Sequence, residues 1–147
     1  MQVIEEKIQT KLNLRKRAIA GFVDYSMIFA FDFVYLYIFG EPNEEGGYSM
    51  SGLPALVPVL FWCLMTVGLE QFNGATLGNT LVGLKPISIR GYKQKLTLIQ
   101  SFKRHLLDPI DMFFLGMIGI ITIKNTERNQ RLGDIWAQTI VVEANNK

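Results

Sequence analysis

The chain has 147 residues, 49% of them hydrophobic, with 15 Lys and Arg against 13 Asp and Glu. That length suits one domain; a single cysteine excludes a disulfide framework or paired-cysteine metal site, and a single histidine excludes a zinc cluster built on imidazoles. The apolar residues are gathered into long runs without a polar face, which excludes an ordinary soluble helical domain, where each helix keeps a polar side.

Residues 1–14 carry Val3, Ile4, Ile8 and Leu12 at roughly helical spacing and predict a short cytoplasmic amphipathic helix. The basic residues Lys7, Lys11, Arg15, Lys16 and Arg17 lead into the first predicted span, residues 18–39, whose charges are Asp24 and Asp32. A bilayer core of about 30 Å needs roughly 20 mostly apolar helical residues, which this run supplies. It is too long for the apolar region of a signal peptide, and no Ala-x-Ala site follows it, so a retained anchor is expected. The loop over residues 40–52 holds Glu41, Glu44 and Glu45 and no Lys or Arg. Residues 53–70 predict the second span: Pro54 falls in its first turn, Pro58 is expected to kink it, Cys63 reads as a small buried hydrophobe, and Glu70 closes it as a solvated residue.

The segment over residues 71–107 carries Lys85, Arg90, Lys93, Lys95, Lys103 and Arg104 and no acid. Lys and Arg accumulate on the cytoplasmic side, so the N-terminus and this segment are expected inside and the acidic loop outside. The basic residues Lys85, Arg90, Lys93 and Lys95 read as a face for anionic lipid headgroups or a partner rather than for nucleic acid. Residues 85–90 alternate around Ile87 and Ile89 and, with Gly91, predict a strand entering a hairpin; residues 138–143 form a second β-branched run that would join the same small sheet. The motif Gly74-Ala-Thr-Leu-Gly78 reads as a tight loop.

Leu96, Ile99, Phe102, Leu106 and Ile110 lie at helical intervals beside Lys103 and Arg104, the pattern of an interfacial amphipathic helix, and His105 is expected against headgroups. Asp108-Pro109 reads as a cap, and Asp111 as either the cap's partner or a site carboxylate. A third hydrophobic helix over residues 109–123 is too short to cross alone. Either it completes a kinked span with the preceding helix or it is re-entrant and returns inside, with residues 124–147 as the C-terminal tail. The expected architecture is an all-α membrane protein: one domain over residues 1–147, three hydrophobic helical segments with the third kinked or re-entrant, and a small cytoplasmic β-hairpin or sheet.

An aspartate inside a span costs about 2.5–3.5 kcal/mol on insertion scales, so it faces a partner, a bundle interior or water. Asp24 has two readings: a buried clamp that fixes helix packing, or a carboxylate that binds a proton or cation. Its candidate partners are Arg104, Arg128 and Arg131. Asp32 reads as an interface residue near the outer leaflet. The aromatic residues Phe22, Tyr25, Phe29, Phe31, Phe33, Tyr35 and Tyr37 are expected to face lipid or the interface.

Four stretches in order resemble the RDD family of bacterial membrane proteins: Arg17-Ala-Ile-Ala-Gly-Phe-Val-Asp24, the block from Gly74 to Lys85, Lys103-Arg104 followed by Ile110-Asp111, and the block from Gln130 to Val142. The arginine and two aspartates of that family name fall on Arg17, Asp24 and Asp134. Asn79 departs from the family pattern, which has a basic residue there, and Gln138 stands where it has glycine. The resemblance implies helical spans in a bacterial inner membrane and a role in transport. It makes Arg17, Asp24, Arg104, Asp111 and Asp134 the candidate polar site.

No nucleophile–base pair, phosphate loop or metal-ligand spacing is visible, so no enzyme activity, cofactor or metal is expected. Two functions remain. One is a small transporter that exchanges a cation for a proton at Asp24, built as a homo-oligomer or with a membrane partner because so few spans cannot enclose a pathway. The other is a non-transporting assembly or adaptor protein that docks a partner or lipid through its basic cytoplasmic face.

Overall fold

The computed structural model describes residues 10–89 and 95–144. The amphipathic helix expected within residues 1–14 falls mostly outside the described residues, as do Arg90, Gly91 and Lys93; the described residues 10–13 are not helical.

Helix α1 (Leu14–Phe39) is 26 residues long, about 39 Å at 1.5 Å per residue. Its buried residues are Ala20, Asp24 and Ile28, a stripe at four-residue spacing. The rest of its surface is apolar and exposed, with Phe22 at 74% and Phe33 at 73%. In water that surface would drive aggregation; against acyl chains it is the expected finish.

The strands β1 (Glu41–Pro42) and β2 (Tyr48–Ser49) pair in the acidic loop, a small hairpin the sequence did not announce. A single 3-10 turn (Leu53–Ala55) leads into α2 (Leu56–Cys63), a π turn (Leu64–Gly68) and α3 (Leu69–Asn73), together 21 residues. Pro54 sits in the first turn as expected. Pro58 follows the 3-10 turn without a break, and the carbonyl four residues before it, that of Pro54, accepts Tyr35 Oη at 3.3 Å in place of the N–H that proline lacks. The irregularity comes later, in the π turn, where Thr66 Oγ1 donates to the Trp62 carbonyl at 2.7 Å. Cys63 is half-buried and free rather than buried.

Gly74 (φ 81°) ends α3 in the left-handed conformation that glycine adopts without strain. Thr76 then caps α4 (Leu77–Leu81). Gly78 is more than a loop residue: a Cβ there would collide with the Ala20 carbonyl, so α4 lies directly on the α1 backbone. Strand β3 (Leu84–Ser88) does not form a local hairpin. It pairs antiparallel with β4 (Thr139–Glu143), from Leu84 opposite Glu143 to Ser88 opposite Thr139, the joining of segments expected from sequence.

Between these strands lie α5 (Leu98–Leu106), α6 (Asp108–Asp111), α7 (Phe113–Asn125) and α8 (Leu132–Ala137). Pro109 starts only one turn of helix, and the longer helix begins at Phe113. The axis bends by 116° between residues 98–111 and 113–125, with Phe114, Leu115 and Gly116 left-handed at the bend. The residues 14–39 and 53–73 are each long and apolar enough to cross a membrane, and the bent pair would be a third candidate.

The interior is unusually polar. Buried aliphatic residues are scattered, whereas Asp24, Glu70, Arg104, His105, Asp108, Asp111 and Asp134 are all at least nine-tenths buried. Apolar residues coat the helices and charges fill the space between them, the inverse of a soluble fold.

Candidate functional site

Helix α5 shows why charge collects inside. Ser101, Arg104 and His105 recur at steps of three and one and share one face of α5, and Asp108 at the start of α6 meets His105 on that side. That face is buried. The opposite face carries Leu98, Ile99, Phe102 and Leu106, all exposed. The amphipathicity expected from sequence is therefore present, but its polar side points into the protein.

Arg104 lies at the centre, with its side chain 1% exposed. Its Nε donates to Asp134 Oδ1 at 2.8 Å and its Nη1 to Glu70 Oε1 at 2.7 Å. Such charge-assisted bonds are the strong class of hydrogen bond. Ser101 Oγ also donates to Glu70 Oε1, at 2.9 Å, and receives Gln71 Nε2. Glu70, expected in solvent, is thus a buried member of the cluster.

His105 is not a headgroup contact. Its Nδ1 lies 2.7 Å from Asp108 Oδ2 and its Nε2 lies 2.9 Å from Glu70 Oε2. An ionised carboxylate only accepts, so filling both positions takes two N–H groups on the ring or a proton on one carboxyl. Glu70, His105 and Asp108 consequently share one proton inventory. Tyr25 Oη also donates to Asp108 Oδ2, at 2.7 Å, so this ring faces the protein and not lipid. Asp108 does not cap α6 with its side chain; it is buried and lies 3.1 Å from Arg131 Nη1 as an ion pair.

Asp24 and Asp111 take parallel roles. None of the three arginines expected for Asp24 is its hydrogen-bond partner. Its Oδ1 accepts the Gly78 N–H at 2.6 Å, at the start of α4. Asp111 accepts the N–H groups of Leu132 and Gly133, both at 3.1 Å, at the start of α8. Each carboxylate satisfies N–H groups that a helix leaves unpaired at its N-terminus. Gly133 permits the second junction, because a Cβ there would strike the Arg104 carbonyl.

A chain model of the RDD family matches residues 13–138, most of the sequence. The chain belongs to the RDD family. No curated protein and no solved structure matches it. In this RDD protein the named residues divide: Arg17 Nη1 meets Asp134 Oδ2 at 3.3 Å, while Asp24 engages the α4 backbone instead. Arg17 Nε and Nη2 are buried without a hydrogen-bond partner among the described residues. Arg17 also lines a cavity of about 50 Å³, together with Asp24, Asn79, His105, Asp108 and Arg131 among others. That volume holds a few waters or one small ion.

Asp134 and Arg131 lie beyond the apolar helices. Burial alone would raise the Asp134 pKa, but the guanidinium groups of Arg104, Arg131 and Arg17 hold it well below the usual carboxylate range. Burial would lower Arg131, yet Asp108, Asp134 and Asp111 outweigh it and keep that side chain firmly charged.

The structure brings Arg17, Arg104, Asp134 and Asp111 of the expected site together with Asp24, and adds Glu70, His105, Asp108 and Arg131. The predicted basic face is not part of it. Lys85 is half-buried in β3, with its side chain against Gly74, and Lys95 is exposed before α5.

Proposed function

We propose that this RDD protein is a two-span inner-membrane protein of a bacterium that exchanges a small cation for a proton through the buried cluster at its cytoplasmic end. The topology follows from a parity argument. Strands β3 and β4 pair across the bent helices, so the chain must be on one side of the membrane both before and after them. Residues 98–125 then enter and return, and the 116° bend suits a re-entrant segment. Lys11 and Lys16 meet Glu143 at 2.8 Å, which supports a start of α1 on the same side. That side carries the Lys and Arg residues, and the opposite loop carries Glu41, Glu44 and Glu45, the asymmetry of a cytoplasmic N-terminus.

The observation that carries the exchange reading is His105 held between two carboxylates beside a small cavity shared with Asp24. Buried ion networks contribute little net stability compared with apolar packing, so their presence between membrane helices points to use. A proton taken by the Glu70–His105–Asp108 group would alter the charge facing the cavity and so the affinity for a cation there. Two spans cannot enclose a route, so a second copy or a membrane partner completes it. No enzymatic step is part of this reading.

The test is ion flux in proteoliposomes with an internal pH dye, adding Na⁺, K⁺ or Li⁺. Wild type should give a cation-dependent signal, lost in both Asp24→Asn and His105→Gln. Asparagine caps a helix about as well as aspartate, so the first variant should insert normally. A flat wild-type trace from correctly inserted protein rejects exchange.

One observation favours a second reading. Asp24 and Asp111 are both engaged at helix N-termini, the geometry of a scaffold. An adaptor would show no flux and would instead yield one reproducible partner on crosslinking in intact membranes.

A further inference from the structure

We propose that a groove beside α5 and α8 binds the headgroup of an anionic phospholipid. The groove measures about 390 Å³ and is lined by Lys95, Ile99, Gln100, Lys103, Trp136 and Gln138, among others. It is separate from the buried cluster, and the inference does not depend on cation exchange.

The lining combines what a phospholipid at the bilayer surface presents. Lys95 and Lys103 supply positive charge, and neither takes part in an ion pair among the described residues. Among the described residues, no acidic side chain lines the groove. Lys103 Nζ stands 5.3 Å from the centroid of the Trp136 ring, which holds the ammonium near the groove. Trp136 is itself 46% exposed, and tryptophan favours the headgroup level of a bilayer. Gln138 borders the same space with an amide able to donate to phosphate oxygens, while the Gln100 amide donates to Ser88 Oγ and the Ala137 carbonyl and so braces the floor between β3 and α8.

The position fits a lipid better than a soluble anion. Ile99 lies one turn from Lys103 on α5 and forms the apolar lip of the groove. It continues into the exposed row of Leu98, Phe102 and Leu106. That row would lie in the acyl boundary, as the apolar face of an interfacial helix does. A headgroup phosphate would then meet the lysines while its chains run along the row.

The full chain in detergent would be titrated with phosphatidylglycerol and with phosphatidylcholine, counting bound lipid by native mass spectrometry. Replacing both lysines (Lys95→Gln with Lys103→Gln) should weaken phosphatidylglycerol binding about 30-fold, from two surface lysines at their usual strength. Phosphatidylcholine binding should stay unchanged. Lys124→Gln with Arg128→Gln removes equal charge from exposed positions elsewhere and should change little. Lys103→Arg should retain binding. Equal losses in both double variants would mean diffuse attraction and overturn the site, as would undiminished binding in the first. Competition by free glycerol 3-phosphate as strong as that by the lipid would overturn a lipid occupant.

Discussion

The two ends of the helix pair solve the same problem in opposite ways. At the end that the proposed topology makes the inner one, α1, α3, α5, α6 and α8 surround a dense set of charges, nearly every one of which meets an opposite charge or a helix N-terminus. At the outer end, contacts are aromatic: Phe31 stacks on Phe61 with ring centroids 3.8 Å apart, and Tyr37 meets Tyr48 edge-on at 5.5 Å. The outer end has one misfit. Asp32 lies eight residues, about 12 Å, beyond Asp24 on the same helix, and its Oδ1 is buried without a hydrogen-bond partner among the described residues. A carboxylate in a membrane helix is therefore not one kind of object here. Asp24 is fixed by Gly78, whereas Asp32 is bare.

That contrast predicts effects of opposite sign. Arg104→Leu strands Glu70 and Asp134 in the interior, and breaking a buried pair from one side costs about 3 kcal/mol or more. Asp32→Leu removes an isolated charge from an apolar helix and should favour insertion by about 2 kcal/mol. Thermal melting and membrane yield of the two variants, made side by side, read both. A stable Arg104→Leu protein or a crippled Asp32→Leu protein would erase the distinction between the two ends.

How much of this was legible in the sequence depends on which signal carried it. The apolar runs gave the two long helices because burial in lipid leaves no polar face to confuse the period. The β-branched run at Thr139 and the alternation around Ile87 gave the β3–β4 pairing, although they predicted a hairpin where the partners are distant in sequence. The resemblance pointed to Arg17, Asp24, Arg104, Asp111 and Asp134, which the fold gathers around the buried charges. It could not deliver Glu70, His105 or Asp108. The spacing of His105 and Asp108 was readable, since residues 101, 104, 105 and 108 form a helical face, but an amphipathic helix is assumed to show its polar side to water, and Glu70 carried no such signal. In α5 lipid takes the place of the core and the protein takes the place of water. The π turn and the bend at Phe114–Gly116 had no sequence signal beyond one glycine.

A smaller prediction sharpens the comparison by testing strain at the inner end. Gln138 occupies the left-handed region, with φ 55° and ψ 53°, between α8 and β4. Its backbone is fixed there by the Ile89 N–H donating to its carbonyl at 3.0 Å. A side chain costs about 1–2 kcal/mol in that conformation, and glycine gives part of this back as extra freedom in the unfolded chain. Gln138→Gly should therefore stabilise the protein by about 1 kcal/mol in a detergent melt. A loss would mean that the side chain contributes more in the groove than its backbone strain costs.

The smallest effect lies at the rim of the same end, where Glu143 links β4 to the start of α1. Hydrogen bonds from Lys11 and Lys16 hold its carboxyl down to about 2, against an ordinary 4.5. A depressed carboxylate stabilises the folded state fully above its unfolded value, and the contribution fades as pH falls from 4.5 towards 2. Wild type should melt slightly above Glu143→Gln at about pH 6, and the two should converge near about pH 2. Because Glu143 is half-buried at the surface and both lysines are exposed, about 0.5 M salt should shrink the difference at the higher pH. The buried Arg104–Asp134 pair should hold against the same salt, since screening reaches buried charges far less. If salt weakened both contacts alike, the inner cluster would be open to water, and the division between a sealed interior and a solvated rim would fail.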